Sequence, residues 1–203
     1  MSTFSIYSFV TIDSPYEEVV KKYLLASAQK LNLEVQVLKA PNYHNWWMNV
    51  AQKPLMILKL LNEGKDNIVF LDADATIESF PSLFDNIPDE IDLAYHTLHW
   101  NSWYNRPNDT TTELLSGTIF LRNRPEVKRL CTEWYEKAKD GGVWEQKILE
   151  QVIKKYDLKI YDLPISYTWI NSLPGNKEPY VKCDDIVIRH YQVSRNIKRG
   201  GLL

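Results

Sequence analysis

Two aspartates, Asp72 and Asp74, follow directly after the apolar run Ile68–Leu71. Such a run predicts a buried strand, and side chains two positions apart in an extended chain point the same way. The two carboxylates are therefore expected to converge, which requires a cation or a proton between them. Carboxylate oxygens suit Mg²⁺ or Mn²⁺, which keep open positions for phosphate oxygens. The alternative is a solvated turn whose aspartates bond the local backbone.

The elements that precede the aspartates alternate between strand and helix. The pattern predicts strands over residues 4–12, 33–38 and 67–71. A first helix starts after Ser14 and Pro15, with Glu17 completing a capping box, and a second runs from Pro54 to a stop at Gly64. This order predicts an α/β fold, a mostly parallel sheet with helices on both faces. Ligands of such sheets bind beyond the carboxyl ends of the strands, where Thr11, Ile12, Asp72 and Asp74 lie.

The second half of the chain is less regular. Residues 91–96 and 114–121 are predicted strands, the latter interrupted at Ser116-Gly117. Residues 96–112 are polar and aromatic without periodicity, which predicts one long loop. Helices are predicted from Asn123, as the N-cap, to Gly141-Gly142 and over residues 143–156, and a last strand is predicted over 186–188, ending at Arg189-His190.

Length and composition narrow the class of protein. With 203 residues, the chain suits one domain, here divided into a nucleotide-binding half (about 1–80) and an acceptor and sugar half (about 81–203). The formal net charge of -2 gives no basic field for nucleic acid. Cys131 and Cys183 suggest neither a disulfide framework nor a zinc site. No apolar run suits membrane insertion and the N-terminus is unlike a signal peptide. We expect a soluble, cytoplasmic protein, or a piece of a longer one.

The D-x-D string first resembles the motif of haloacid-dehalogenase-like phosphatases, hydrophobic-D-x-D-x-[TV], which IVFLDADAT matches. In that hypothesis Asp72 is the nucleophile. Such phosphatases need an acidic pair at the carboxyl end of a later strand. The candidate pair, Asp184 and Asp185, precedes the predicted strand at 186–188 and so lies at its wrong end.

Six stretches support a different resemblance. They are YSFVTIDSPY, WWMNVAQKPLMILKLL, FLDADATI, ELLSGTIFLRN, WEQKILEQVI and VIRHYQVSRNIKRG. In this order and spacing they resemble the motifs of small GT-A, D-x-D-type nucleotide-diphospho-sugar glycosyltransferases over nearly the whole chain. Many relatives have Asp where Glu145 stands. Length and opening are most similar to short glycosyltransferases of large algal DNA viruses (chloroviruses) that build capsid glycans, which would place the protein in a host cytoplasm.

The resemblance implies a reaction and a site. It implies transfer from a UDP-sugar to a glycan or glycoprotein acceptor, with retention favoured, and a Mn²⁺ or Mg²⁺ ion held by Asp72, Asp74 and His190. Glu145 would be the catalytic carboxylate, and Gln146 would orient the sugar. The remaining donor contacts implied are Thr11, Ile12, Lys53, Asp72, Ala73, Ser116, Gly117, Arg195 and Lys198, the last two at the diphosphate.

Each implied role has a structural alternative. His190 could be an ordinary core histidine, and Glu145 a favourable charge in the first turn of a helix. Ser116-Gly117 could mark a β-bulge and Lys53 an exposed side chain. Trp100, Trp103 and Tyr104 are expected to frame the acceptor site. A third hypothesis, a non-catalytic sugar-binding module built on these aromatics, leaves Asp72, Asp74 and Glu145 unexplained.

Overall fold

The fold was analysed in a computed structural model, which describes residues 2–175 and 177–197. The strands in these ranges are β1 (Ser5–Thr11), β2 (Val35–Ala40), β3 (Ile68–Leu71), β4 (Ala75–Ile77), β5 (Leu93–His99), β6 (Thr112–Leu121), β7 (Ile160–Asp162), β8 (Trp169–Ile170) and β9 (Ile188–His190). The α-helices are α1 (Tyr16–Val20), α2 (Ala26–Lys30), α3 (Trp46–Val50), α4 (Gln52–Asn62), α5 (Trp100–Trp103), α6 (Pro125–Ala138), α7 (Glu145–Val152) and α8 (Ser194–Ile197). A π-helical segment, Lys21–Leu25, joins α1 to α2.

A six-stranded sheet in the order β2-β1-β3-β6-β5-β7 forms the centre of the fold. Strand β6 is antiparallel to both of its neighbours, β3 and β5, while the other pairs are parallel. Five strands therefore run in one direction, which confirms the predicted mostly parallel α/β sheet. Their carboxyl ends open on one edge, where the segments after β1 and β3 meet.

The four residues of β3 show why the sheet is covered on both faces. Ile68 and Phe70 pack in a core with α4, α6 and α7. Val69 and Leu71 point to the opposite core, which includes Val20, Leu24 and Ala28 of the α1–α2 region. All four are buried, because alternate side chains of a strand enter opposite layers. The continuous apolar run before Asp72 is thus explained by burial on two sides.

A second, smaller sheet has the order β4-β9-β8. Strand β4 begins one residue after Asp74 and pairs antiparallel with β9, so that Ala75 lies opposite His190. This pairing brings the end of the described chain back to the D-x-D segment. Among residues 2–175 and 177–197, no helix has the length and apolar character needed to cross a bilayer.

Several predicted element boundaries are confirmed and several are wrong. Gly64 ends α4 with φ +81° and its N–H donates to Leu61 O, as predicted. The capping box is wrong, because the Glu17 carboxylate accepts from the N–H of Asp13 instead of that of Ser14. The Asn123 cap is also wrong: Arg124 is the N-cap of α6, and the Asn123 amide donates to the carbonyls of Leu61 and Lys65.

The prediction of one long loop over residues 96–112 is wrong at both ends. His96 to His99 complete β5, Trp100–Trp103 form α5, and Thr112 begins β6. Strands β5 and β6 pair across this segment, with His99 opposite Thr112. Cross-strand hydrogen bonds stabilise polar sequence that carries no periodic signal. The β5–β6 register shifts between Ala94 and His96, near Ser116-Gly117, so the bulge alternative is confirmed there.

Candidate active site

The D-x-D segment forms a turn, not the extended chain expected from the sequence. Asp72, Ala73 and Asp74 connect β3 to β4, and the N–H of Ala75 donates to Asp72 O at 3.0 Å. The two carboxylates converge nevertheless. Asp72, Asp74 and His190 each offer a ligand atom, and these atoms lie within 4.8 Å of one another. The predicted set of metal-binding side chains is therefore assembled by the fold.

His190 enters this group with one nitrogen engaged. Its Nε2 lies 2.8 Å from Thr118 Oγ1, and its buried Nδ1 has no partner within the described residues. Gly117 lies against the ring: a Cβ built there would be 2.9 Å from Cε1 and 3.0 Å from Nδ1. Gly117 was expected to let backbone approach a sugar. The structure shows that the missing side chain makes room for the imidazole.

Burial sets the protonation of Asp74 and His190. Desolvation raises the pKa of Asp74 to about 6, and the neighbouring Asp72 raises it further, although the N–H of Val193 donates to Asp74 Oδ2 at 2.7 Å. Desolvation lowers the pKa of His190 to about 4, so the ring is neutral at pH 7. A neutral imidazole with an unpartnered nitrogen beside two carboxylates has the donor chemistry that fits a divalent metal ion.

Lys53 lies beneath this group and joins two acidic residues. Its Nζ is 2.7 Å from Asp72 Oδ1 and 3.0 Å from Glu145 Oε1, and it donates to Ser116 O at 3.1 Å. The side chains of Lys53 and Glu145 are each 3% exposed, so the alternative of an exposed lysine is wrong. Three N–H donors meet three oxygens, which satisfies the buried ammonium group.

The charges of this cluster depend on one another. Burial alone would lower the pKa of Lys53, but the Asp72 and Glu145 carboxylates outweigh it and raise the pKa. Lys53 is therefore a cation at neutral pH. Burial raises the pKa of Glu145, against the opposing effect of the Lys53 ammonium group. Removing any one member would leave a buried charge without its partner.

Gln146 is held by two neighbours in a fixed orientation. Its Oε1 accepts from the backbone N–H of Ser116 at 3.0 Å, and its Nε2 donates to Glu113 Oε1 at 3.1 Å. The other Glu113 oxygen accepts from Trp100 Nε1 at 3.4 Å. One carboxylate thus connects the amide of α7 to the aromatic segment that follows β5.

A cavity of about 510 Å³ opens above these groups. Residues from both halves of the chain line it, including Tyr16, Trp46, Asn49, Trp100, Tyr104, Arg106, Trp144, Ile170, Leu173, Lys177 and Gln192. The aspartates, Glu145 and His190 share this cavity with apolar and aromatic walls. Such a concave site with a few convergent polar groups is typical of small-molecule binding.

The structure brings most of the predicted site residues to this cavity. Those that line it are Thr11, Lys53, Asp72, Ala73, Asp74, Gly117, Glu145, Gln146, His190 and Arg195. Ser116 is buried next to Lys53 and Gln146. Ile12 is 41% exposed and is not among the lining residues. Arg195 donates to Ser172 O at 2.6 Å, and Lys198 lies outside the described residues.

Trp103 does not have the position expected of an acceptor-binding aromatic. It is 2% exposed and packs with Leu98, Leu115 and Ile170 in a small core. Its neighbours Trp100 and Tyr104 do line the cavity, and the Arg106 guanidinium lies 5.0 and 5.5 Å from their rings. A helical turn separates the buried ring from the exposed ones, which the irregular sequence did not reveal.

Two residues that hold the site were missed by the sequence analysis. Thr118 pairs with Leu71 in the sheet and contacts His190, and Glu113 contacts Gln146. Alternation along β6 could have indicated Thr118, because Ser116 and Thr118 are polar residues two positions apart in a buried strand. No local pattern marks Glu113, whose partners lie on another strand and helix.

The acidic pair required by the phosphatase hypothesis is not at the cavity. Asp184 and Asp185 are exposed, precede β9 and are absent from its lining. Asp72 instead accepts from Lys53 and lies beside Asp74 and His190. A hydrophobic strand followed by D-x-D therefore occurs here without the second half of the phosphatase site.

The fold and the site together define an α/β protein that binds a ligand and a divalent metal ion at the carboxyl edge of its sheet. Residues 6–189 match the sequence model of the nucleotide-diphospho-sugar transferases. The chain belongs to this family, so it is a transferase that takes a sugar from a nucleotide-sugar donor. No curated protein matches the sequence significantly.

Solved structures show the same fold at low sequence identity. A glycosyltransferase involved in glycosylation of the major capsid of PBCV-1 is 11% identical with a TM-score of 0.67, covering 97% of this chain and 98% of that chain. Mouse xyloside xylosyltransferase 1 is 10% identical with a TM-score of 0.57, covering 94% and 98%. The bifunctional glycosyltransferase WbbM is 12% identical with a TM-score of 0.62, covering 94% and 46%. The fold is therefore the GT-A fold.

Proposed function

We propose that this protein is a metal-dependent glycosyltransferase that moves a sugar from a UDP-sugar to a glycan or glycoprotein acceptor with retention. The observation that carries the proposal is one cavity lined by both the Asp72–Asp74–His190 group and the buried Lys53–Glu145 pair. Metal-binding side chains next to a buried carboxylate are what transfer from a diphosphate-linked sugar requires.

The nucleotide end of the proposed site is formed by the segments after β1 and β2. Thr11, Tyr16, Trp46 and Asn49 line the cavity there and offer aromatic and polar contacts to a base and ribose. Arg195, and with it Lys198, are proposed to contact the diphosphate. The choice of UDP rests on the resemblance of the motifs, since these side chains would suit another base as well.

Asp72, Asp74 and His190 would hold Mn²⁺ or Mg²⁺. When bound, the ion neutralises negative charge that develops on the departing diphosphate. Lys53 keeps Asp72 ionised through its contact at 2.7 Å and prevents repulsion between Asp72 and Glu145. The chain thus supplies an oriented ligand set without needing to rearrange its buried charges.

The surroundings of Glu145 favour retention over inversion. An inverting enzyme needs a general base that removes a proton from the acceptor. Glu145 accepts instead from Lys53 at 3.0 Å, and both of its oxygens lie within 3.4 Å of Ser116 Oγ. A carboxylate held in this way is a weak base but a suitable negative charge for a cationic sugar centre. Gln146 orients the sugar through an amide that Ser116 and Glu113 hold in place.

The far end of the cavity is proposed to receive the acceptor. Trp100, Tyr104, Ile170 and Leu173 form its walls, and Arg106 lies over two of the rings. Flat aromatic surfaces with nearby polar groups suit the apolar faces of sugar rings. This replaces Trp103 with Trp100 and Tyr104 as the aromatic contacts of the acceptor.

The test is a calorimetric titration of UDP into the protein with Mn²⁺ and, separately, with EDTA. We expect binding with Mn²⁺ and little with EDTA. Asp74→Asn should abolish the metal-dependent binding, while Asp157→Asn, an exposed control, should leave it unchanged. Normal metal-dependent binding by Asp74→Asn would contradict the assignment, and cleavage of simple phosphate esters would favour the phosphatase.

A further inference from the structure

The imidazole of His190 has one nitrogen with a partner and one without. Nε2 lies 2.8 Å from Thr118 Oγ1, while Nδ1 is buried and makes no hydrogen bond to any residue that the structure describes. A buried polar atom left in this state is costly, and in native proteins it usually has a ligand, an ion or a water molecule as partner. Nδ1 is therefore the ring atom that requires an explanation.

The chemistry of imidazole limits the possible tautomers. A metal-binding imidazole is neutral, so it carries one proton and binds the ion through the other nitrogen. Thr118 Oγ1 can accept a proton from Nε2, and the oxygens of Asp72 and Asp74 lie with the histidine in a group that spans at most 4.8 Å. A proton on Nε2 and a lone pair on Nδ1 are compatible with both neighbours at once.

We propose that Thr118 is a positioning residue that accepts the Nε2–H of His190 and thereby makes Nδ1 the metal-binding atom. The inference rests on the proposed function, because it requires a divalent ion beside Asp72 and Asp74. Outer contacts of this kind fix the ring orientation and tautomer of metal-binding histidines. Thr118 would act through His190 and would touch neither the ion nor the substrate.

The sheet explains how Thr118 can do this. Strand β6 places Thr118 opposite Leu71, the residue before Asp72, and the Asp72 N–H donates to the carbonyl of the adjacent Gly117. The same two residues of β6 thus position the first aspartate through the backbone and the histidine through the ring. Thr118 is fully buried, so water does not compete for its hydroxyl group.

The direct test uses ¹⁵N NMR of the wild-type protein with Mg²⁺, a diamagnetic ion, and UDP. The chain has four histidines, and a His190→Gln variant identifies the signals of His190. Ring nitrogens with and without a proton have well-separated ¹⁵N shifts. We expect Nε2 to carry the proton and Nδ1 to change its shift on addition of Mg²⁺. A proton on Nδ1 in the metal-bound protein would overturn the proposal.

Substitution of Thr118 gives an independent test through Mn²⁺ affinity measured by calorimetry in the presence of UDP. Thr118→Val keeps the shape and removes the acceptor, and we expect binding weaker by about 10- to 100-fold. Thr118→Ser should retain the affinity. Thr112→Val, an exposed substitution on the same strand, is the matched control. Unchanged Mn²⁺ affinity in Thr118→Val would overturn the proposal, and the NMR test stands if that variant does not fold.

The outcomes separate this inference from the proposed function. If wild-type protein binds UDP with no dependence on metal, the proposed function fails and the role of Thr118 fails with it. If metal-dependent binding is present and Nδ1 carries the proton, the glycosyltransferase assignment survives and only the inference about Thr118 is wrong.

Discussion

Gly117 lies against the imidazole of His190, so a single methyl group at this position changes the site. A Cβ at residue 117 would come within 2.9 Å of the ring. We expect Gly117→Ala to displace His190, lower the free energy of unfolding by about 1–3 kcal/mol and weaken Mn²⁺ binding. Chemical denaturation and calorimetry measure the two effects.

The double variant shows whether the imidazole causes the loss. In a His190→Ala background the clash is absent, so Gly117→Ala should have a much smaller effect on unfolding there. Equal losses of stability in the two backgrounds would mean that the strain arises elsewhere on β6.

Asp74 predicts a pH dependence of metal binding. Its pKa is raised to about 6 by burial, so it is protonated below this pH in the metal-free protein and ionised above it. An ion requires the ionised carboxylate, so Mn²⁺ affinity should fall as the pH decreases from 7 to 5. Binding at pH 6 should release protons, and binding at pH 8 should release none from Asp74.

Calorimetry in two buffers of different ionisation enthalpy measures this proton release. His190, whose pKa is lowered to about 4, is neutral at pH 6 and contributes no comparable release. Equal proton release at pH 6 and pH 8 would exclude Asp74 as its source.

At the scale of the elements, four of them meet at one ammonium group. Helix α4 supplies Lys53, the end of β3 supplies Asp72, β6 supplies Ser116, and the first turn of α7 supplies Glu145. These elements also share the core that contains Ile57, Phe70 and Leu149, so apolar packing brings the charged groups together. The ion pairs depend on that packing because their atoms are removed from water.

Lys53→Met tests this arrangement. Methionine fills the space of the lysine stem but leaves Glu145 buried without its cation, which should lower the free energy of unfolding by about 3–5 kcal/mol. Lys59→Met, an exposed position on the same helix, should change it by no more than about 0.5 kcal/mol. Denaturant titration measures both, and equal effects would show that Lys53 is not buried as described.

At the scale of the whole molecule, two sheets close the site. The large sheet carries Asp72 and Thr118, and the small sheet carries His190. The segment after β9 then returns to Asp74, whose carbonyl and carboxylate accept from Tyr191 and Val193. The metal-binding group therefore depends on pairing between β4 and β9, which are far apart in sequence.

The two cysteines report on opening of the whole fold. Cys131 is fully buried in the core and burial raises its pKa to about 12, while Cys183 is partly exposed. A thiol reagent at pH 8 should modify Cys183 in the native protein and Cys131 only after denaturation. Mass spectrometry of the two peptides gives the result. Rapid native labelling of Cys131 would contradict the described core.

The sequence by itself determined the order of the elements and the chemical type of the site. The apolar run at Ile68–Leu71, the stop at Gly64 and the position of two aspartates after a buried strand are local signals. They follow from alternation, helix capping and backbone preference, which act over a few residues. The resemblance of ordered motifs added His190 and Glu145 to the expected site.

Only the tertiary structure decided which of these groups touch. It showed that Lys53 binds Asp72 and Glu145, that Thr118 binds His190, and that Trp103 is buried. These contacts join residues of different strands and helices, and their geometry depends on strand order, register and the packing of two layers. Local sequence patterns carry no information on such distances, because burial and hydrogen bonding between distant segments arise only when the sheets assemble.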